Sequence, residues 1–123
     1  MDTNALMMPV ELDVRVFDEL DRLFGRGMAD LLVPQSVVDE LDSLADGGGE
    51  DAKAASVGKD LADRCRVVET NATYADDALV ELADDGRVDC VVTNDRPLCD
   101  RLLSRGVRVI GVRGHNRLGI TEP

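Results

Sequence analysis

The apolar positions of this chain change period several times along its length. From Glu11 to Phe24 they fall at Leu12, Val16, Leu20 and Leu23, with Phe17 and Phe24 widening the stripe. That spacing predicts a helix, and Gly25 and Gly27 stand where helices stop. Leu31-Leu32-Val33 is a short apolar run ended by Pro34, which predicts a buried strand. Ser36 then reads as an N-cap with Asp39 at the capping-box position. Its helix runs through Val37, Val38, Leu41 and Leu44 to the loop Gly47-Gly48-Gly49. A second helix is expected from about Asp51 to Arg64. Its Ala52, Ala54, Ala55 and Gly58 give it a thin face suited to close packing.

Arg66 to Glu69 predicts another strand, and Thr73 a cap for a helix through Ala78, Leu79, Leu82 and Ala83 to Gly86. Val88 to Thr93 is the clearest strand, with Cys90, Val91 and Val92 expected inside. Asn94 or Asp95 caps the next helix, which carries Pro97 in its first turn, as helix starts allow. Leu98, Leu102 and Leu103 form its inner stripe and Gly106 ends it. Val107 to Val112 reads as the last strand, and residues 113–123 as a polar, irregular tail. Strands alternating with helices predict an α/β fold with a parallel sheet and right-handed crossovers. Asp2-Thr3-Asn4 has the character of a strand end with only Met1 ahead of it, so the first strand reads as truncated. The expectation is one domain over residues 1–123, with a Rossmann-like parallel sheet of four to five strands flanked by helices.

Four acidic clusters punctuate this pattern: Asp2-Thr3-Asn4, Val38-Asp39-Glu40-Leu41, Ala75-Asp76-Asp77-Ala78-Leu79 and Thr93-Asn94-Asp95. Each stands where a strand passes to a helix, or in the first turns of that helix. In an open parallel sheet such points share one edge. Carboxylates gathered there repel one another unless a cation lies between them, and a hard ion such as Mg²⁺ or Mn²⁺ suits oxygen ligands. Two such ions are the usual means of hydrolysing a phosphodiester. Thr3, Asn4, Thr93 and Asn94 stand beside the acids and could orient them or the substrate. Each acid also has a plain structural use, because a carboxylate near a helix start gains about 0.3–1 kcal/mol against the helix dipole.

Composition narrows the chemistry. The only histidine, His115, lies in the tail, so no Ser-His-Asp arrangement can be assembled, and no phosphate-binding glycine motif is present. Cys65, Cys90 and Cys99 form no CxxC pair and are expected to be reduced, inert thiols. A net charge of −11 with only Lys53 and Lys59 as lysines has the look of a salt-loving organism. In molar salt the Debye length is about 3 Å, so this charge does not exclude an anionic partner such as RNA. No apolar run approaches the ~18 residues of a membrane span. No signal peptide is evident either, so a cytoplasmic protein is expected.

The clusters together resemble the PIN-domain family of metal-dependent ribonucleases. Asp2-Thr3-Asn4 matches its opening motif, and Glu40 within Val-Val-Asp-Glu-Leu its second acid. Asp77, with Asp76 as its neighbour, matches the third, and Asp95 within Val-Val-Thr-Asn-Asp-Arg-Pro-Leu the fourth. The resemblance spans residues 2 to about 112. It implies an endoribonuclease with Mg²⁺ or Mn²⁺ held by Asp2, Glu40, Asp76, Asp77 and Asp95, frequently a homodimer. Tyr74-Ala75-Asp76-Asp77 resembles the archaeal and eukaryotic branch associated with small-subunit ribosomal RNA processing, which implies a ribosome-assembly partner. The nearest rival branch is the VapC-type toxin, which implies an antitoxin partner. A non-cutting PIN-fold module that holds RNA is the other class of reading. A phosphoacceptor domain would need a Lys after the fifth strand, and this chain has none beyond Lys59.

Overall fold

The computed structural model describes residues 1–123. Its elements are α1 (Thr3–Glu11), α2 (Val16–Phe24), β1 (Leu32–Pro34), α3 (Gln35–Ala45), α4 (Gly49–Ala62), β2 (Arg66–Val68), α5 (Ala75–Asp84), β3 (Cys90–Val92), α6 (Arg96–Leu103), β4 (Arg108–Arg113) and β5 (Arg117–Thr121). The α/β class expected from the pattern is present. No helix is long and apolar enough to cross a membrane.

The strands form two sheets. β1 pairs with β2 in parallel, while β3 pairs in parallel with β4, which pairs antiparallel with β5. Residues 1 and 2 join them. The Met1 amino group donates to Leu32 O at 2.9 Å, and Asp2 N–H donates to Val92 O at 3.2 Å. Successive residues of a parallel strand turn their N–H groups to opposite sides. Met1 and Asp2 therefore occupy the end of a central strand position, with β1 on one side and β3 on the other. Residues 1 and 2 form no strand of their own, and this two-residue splice joins the two sheets only by these two hydrogen bonds. Beneath it, between the sheets, lies a largely apolar cavity of about 470 Å³, bounded by Met1, Leu20, Phe24, Leu82 and Val91 among others.

There are two hydrophobic cores. The larger gathers Leu6, Met8, Val14, Val37 and Leu41 of the α1–α4 side with Val33, Val92, Ile110 and Leu118, and so runs across both sheets. The other packs Leu79, Val80, Val91, Leu98, Leu102 and Val109 between α5, α6, β3 and β4. Each such aliphatic side chain contributes about 1.5–3 kcal/mol when fully buried.

Several local expectations are corrected. The helix predicted over Glu11 to Phe24 is shorter, only Val16–Phe24, and a separate helix that was not predicted precedes it. α1 ends at Glu11, Asp13 takes a left-handed backbone (φ 53°), and α2 starts at Val16. The chain turns there because Val14, off the predicted stripe, is fully buried, while Leu12, on it, is 41% exposed. Ser36 and Thr73 do not cap. α3 starts at Gln35, whose Nε2 donates to Asp39 Oδ1 at 3.0 Å, and Ser36 Oγ has no partner. α5 starts after Tyr74, again with no side-chain cap. Cys90 is half-buried rather than interior.

The tail expected to be irregular contains β5. A turn at Gly114 (φ 62°) reverses the chain, and Leu118, 1% exposed, completes the core of α2. α2 also closes the outer edge of β5. Glu19 Oε1 accepts from Leu118 N–H at 2.9 Å, and Arg22 Nη2 donates to Leu118 O at 2.7 Å.

The thin face predicted for α4 is real. A Cβ on Gly58 would stand 3.0 Å from Leu6 O and 3.1 Å from Leu41 Cδ2, between α1 and α3. Gly58→Val forces these helices apart. It is expected to cost about 2 kcal/mol and to lower Tm by about 5–10 °C, measured by thermal unfolding; an unchanged Tm would show that α1 and α4 yield freely.

Candidate functional site

The site is built from the end of the splice, the segment after β3, and residues of α1, α3, α4 and the start of α5. Asp2 ends the splice and caps α1, its Oδ1 accepting from Ala5 N–H at 2.8 Å. Asp95 follows β3 and caps α6, its Oδ1 accepting from Leu98 N–H at 3.0 Å. Thr93 ties the two together. Its buried hydroxyl donates to Asp2 Oδ2 and accepts from Asp95 N–H at 3.0 Å. One threonine thus fixes two carboxylates that stand 93 positions apart in sequence.

A cleft of about 540 Å³ opens over this arrangement. Asp2, Thr3, Asn4, Glu40, Asp76 and Asp95 all line it. Asp77 does not. It turns away to a 2.9 Å ion pair with Arg101 on the exposed face of α5 and α6. Of the adjacent acids, the structure therefore brings Asp76 into the cleft and leaves Asp77 outside. Asn94 also stays out, its Oδ1 lying near Gly111 on the β4 side. Three further lining residues were not singled out as site residues from the sequence, Glu11, Asp51 and Met7, and Tyr74 was quoted only within its motif. Glu11 and Met7 are on α1, a helix the periodicity did not resolve. Asp51 follows the glycine loop and resembles any helix-start acid.

Electrostatics couple these groups. Burial is the main cause that pushes Asp2, 3% exposed, up to about 6, with the negative charge of Asp76 adding to it. Asp76 is also raised, by burial and then by the Asp95 charge. The Met1 ammonium is lowered by its own burial, which the neighbouring Asp2 charge opposes. The three thiols are raised by burial, as expected of unreactive cysteines.

The donor set fits a hard divalent ion. All donors are oxygens, their charges destabilise one another, and the buried Thr3 Oγ1 has no protein partner. No three His, Cys, Asp or Glu side chains are gathered closely enough to enclose an ion. Mg²⁺ does not need that, since it keeps several waters and uses one or two carboxylates.

The profile of the PIN-like domain family matches residues 1–115. The chain belongs to this family. Its fold is similar to that of the PIN domain endonuclease Utp24, with a TM-score of 0.78 at 23% identity over 99% of this chain and 89% of the other. A UPF0178 protein of Sulfurimonas denitrificans is 40% identical over 62 residues, which are 50% of this chain and 40% of that protein. The PIN-like chain thus spans less than half the length of that curated relative.

Asp2 has a consequence for stability. Its folded value of about 6 lies above the model-peptide 3.8. Between those values the folded protein keeps a proton the unfolded chain has lost. This group's contribution is therefore full below about pH 4, falls as pH rises to about 6, and stays low above. The fall is on the order of 2–3 kcal/mol. Asp2→Asn removes it. In metal-free buffer, urea unfolding at pH 4 to 7 is expected to show the variant gaining on the parent by about that amount; parallel pH profiles would mean that Asp2 is not destabilised by burial.

Proposed function

We propose that this PIN-like chain is a Mg²⁺- or Mn²⁺-dependent endoribonuclease that hydrolyses RNA phosphodiester bonds. The observation that carries the reading is the gathering of Asp2, Asp76 and Asp95 into one cleft from three separate elements, with Asp2 and Asp76 both raised, chiefly by burial. Burial makes a charge at Asp2 costly, the hydrogen bonds from Thr93 and Ala5 offset part of that cost, and a bound cation would offset more. The resemblance of Tyr74-Ala75-Asp76-Asp77 supports a role in ribosomal RNA processing, and the fold shared with a PIN domain endonuclease supports the nuclease class.

Asp2 and Asp95 would hold the metal, with Asp76 as third acid and Glu40 facing them across the cleft. A bound divalent ion lowers the pKa of a coordinated water and neutralises charge on the phosphate. The protein's own part is positional. Thr93 keeps Asp2 and Asp95 in register by its two hydrogen bonds. The cap bond from Leu98 leaves the second oxygen of Asp95 for other partners, while the two oxygens of Asp2 accept from Ala5 and Thr93 and keep only their remaining lone pairs. Thr3 Oγ1, without a protein partner, is free to donate to water or phosphate. Asn4, exposed on the rim, can reach a phosphate oxygen. Asp77 instead anchors Arg101.

Asp95→Asn keeps the cap of α6, because Asn caps as well as Asp. It is expected to reduce Mn²⁺-dependent cleavage of RNA by at least about a hundredfold with Tm little changed. Asp76→Asn should behave similarly. Asp77→Asn, which loses only an exposed ion pair, should stay within about threefold of the parent. Cleavage assays on the three variants, with Mn²⁺ binding by titration calorimetry in molar KCl, check this. Full turnover by Asp95→Asn would overturn the assignment.

A further inference from the structure

Tyr74 is 72% exposed at the rim of the acidic cleft, and no hydrogen bond of the fold uses its side chain. It occupies the N-cap position of α5, where a side-chain acceptor would serve the helix better, yet it caps nothing. It is the chain's one tyrosine, there is no tryptophan, and both phenylalanines, Phe17 and Phe24, are packed against the core. An aromatic ring held in water beside a reactive site has no structural use here.

The cleft poses a problem that this ring solves. Its lining includes Asp2, Glu11, Glu40, Asp51, Asp76 and Asp95, and no Lys or Arg. Nucleic-acid binding usually draws its affinity from cations replacing counterions on phosphates. This surface cannot work that way. Stacking can supply affinity instead, because every base has a π-face and the gain does not depend on charge. A base can stack on a side chain only when it is unpaired.

We propose that Tyr74 is a positioning residue on which an unpaired nucleobase of single-stranded RNA stacks, seating the adjoining phosphate over Asp2, Asp76 and Asp95. This rests on the nuclease reading for the identity of the ligand. Binding by stacking predicts a shallow dependence on salt, unlike binding by phosphate contacts.

Because Tyr74 is the only tyrosine and no tryptophan competes, intrinsic fluorescence of the whole protein reports this ring alone. The experiment titrates the full chain with a short oligoadenylate, and separately with the same strand paired to oligouridylate, with Ca²⁺ present. The single strand is expected to quench Tyr74 and the duplex to leave it unchanged, with the single-strand Kd changing little from dilute to molar KCl. Tyr74→Ala, which has no fluorophore left and whose binding is therefore read by titration calorimetry against the parent, should raise Kd, and KM for cleavage, by about tenfold to a hundredfold, with kcat largely kept. Tyr74→Phe should restore both. Equal quenching by duplex, no quenching by either, or an unchanged Kd in Tyr74→Ala each overturns the proposal. The optical signal needs no turnover, so quenching without Mn²⁺-dependent cleavage would sink the nuclease reading and leave the stacking intact.

Discussion

Two hydrogen bonds from residues 1 and 2 tie the two sheets edge to edge over a shared hydrophobic core. Met1 reaches Leu32 of β1 and Asp2 reaches Val92 of β3. Without them the strands would be two sheets with no shared ladder. Everything functional lies next to this splice. Asp2 is its last residue, Thr93 follows the strand it bonds, and Asp95 follows Thr93. The acid at the floor of the cleft is thus positioned by the contact that also unites the sheets, so the geometry of the site and the integrity of the fold are one constraint.

Burial at the splice explains the electrostatics. A carboxylate and an ammonium are both taken out of water there, and each is pushed toward its neutral form by the loss of solvent. Fold stability alone would favour a neutral group at position 2. The hydrogen bonds from Ala5 and Thr93 oppose that pressure and hold the carboxylate in one orientation. A structure that spends stability on orienting a charge is organised around what that charge binds.

Much of this was legible in the sequence. Strong local signals carried β1, α3, α4, β2, α5, β3, α6 and β4 to within a few residues. Asp95 as a cap and Pro97 in the first turn of α6 followed from helix-start chemistry. What stayed hidden was decided by tertiary contacts. α1 carries Met7, Met8 and Pro9, which favour no single period, and it is a helix because α4 covers it. β5 looked polar because Arg117, Gly119 and Thr121 surround its buried Leu118. At the site, the sequence gathered Asp2, Glu40, Asp77 and Asp95 with Asp76 as an unresolved neighbour, and could not divide Asp76 from Asp77. Adjacent residues on a helix point about 100° apart, and only the position of Arg101 shows which one faces outward.

The pairing of α2 with β5 bears on how this protein meets other chains. Glu19 and Arg22 occupy the hydrogen-bonding groups of Leu118 that a foreign strand would seek. Unpaired sheet edges are templates for further strands and for aggregation. With β5 sealed, the one outer margin left is β2, three residues long, with Arg66 held by Asp30 and Val67 open to solvent. Growth of the sheet by strand addition is thereby confined to a single short rim on the side away from α6.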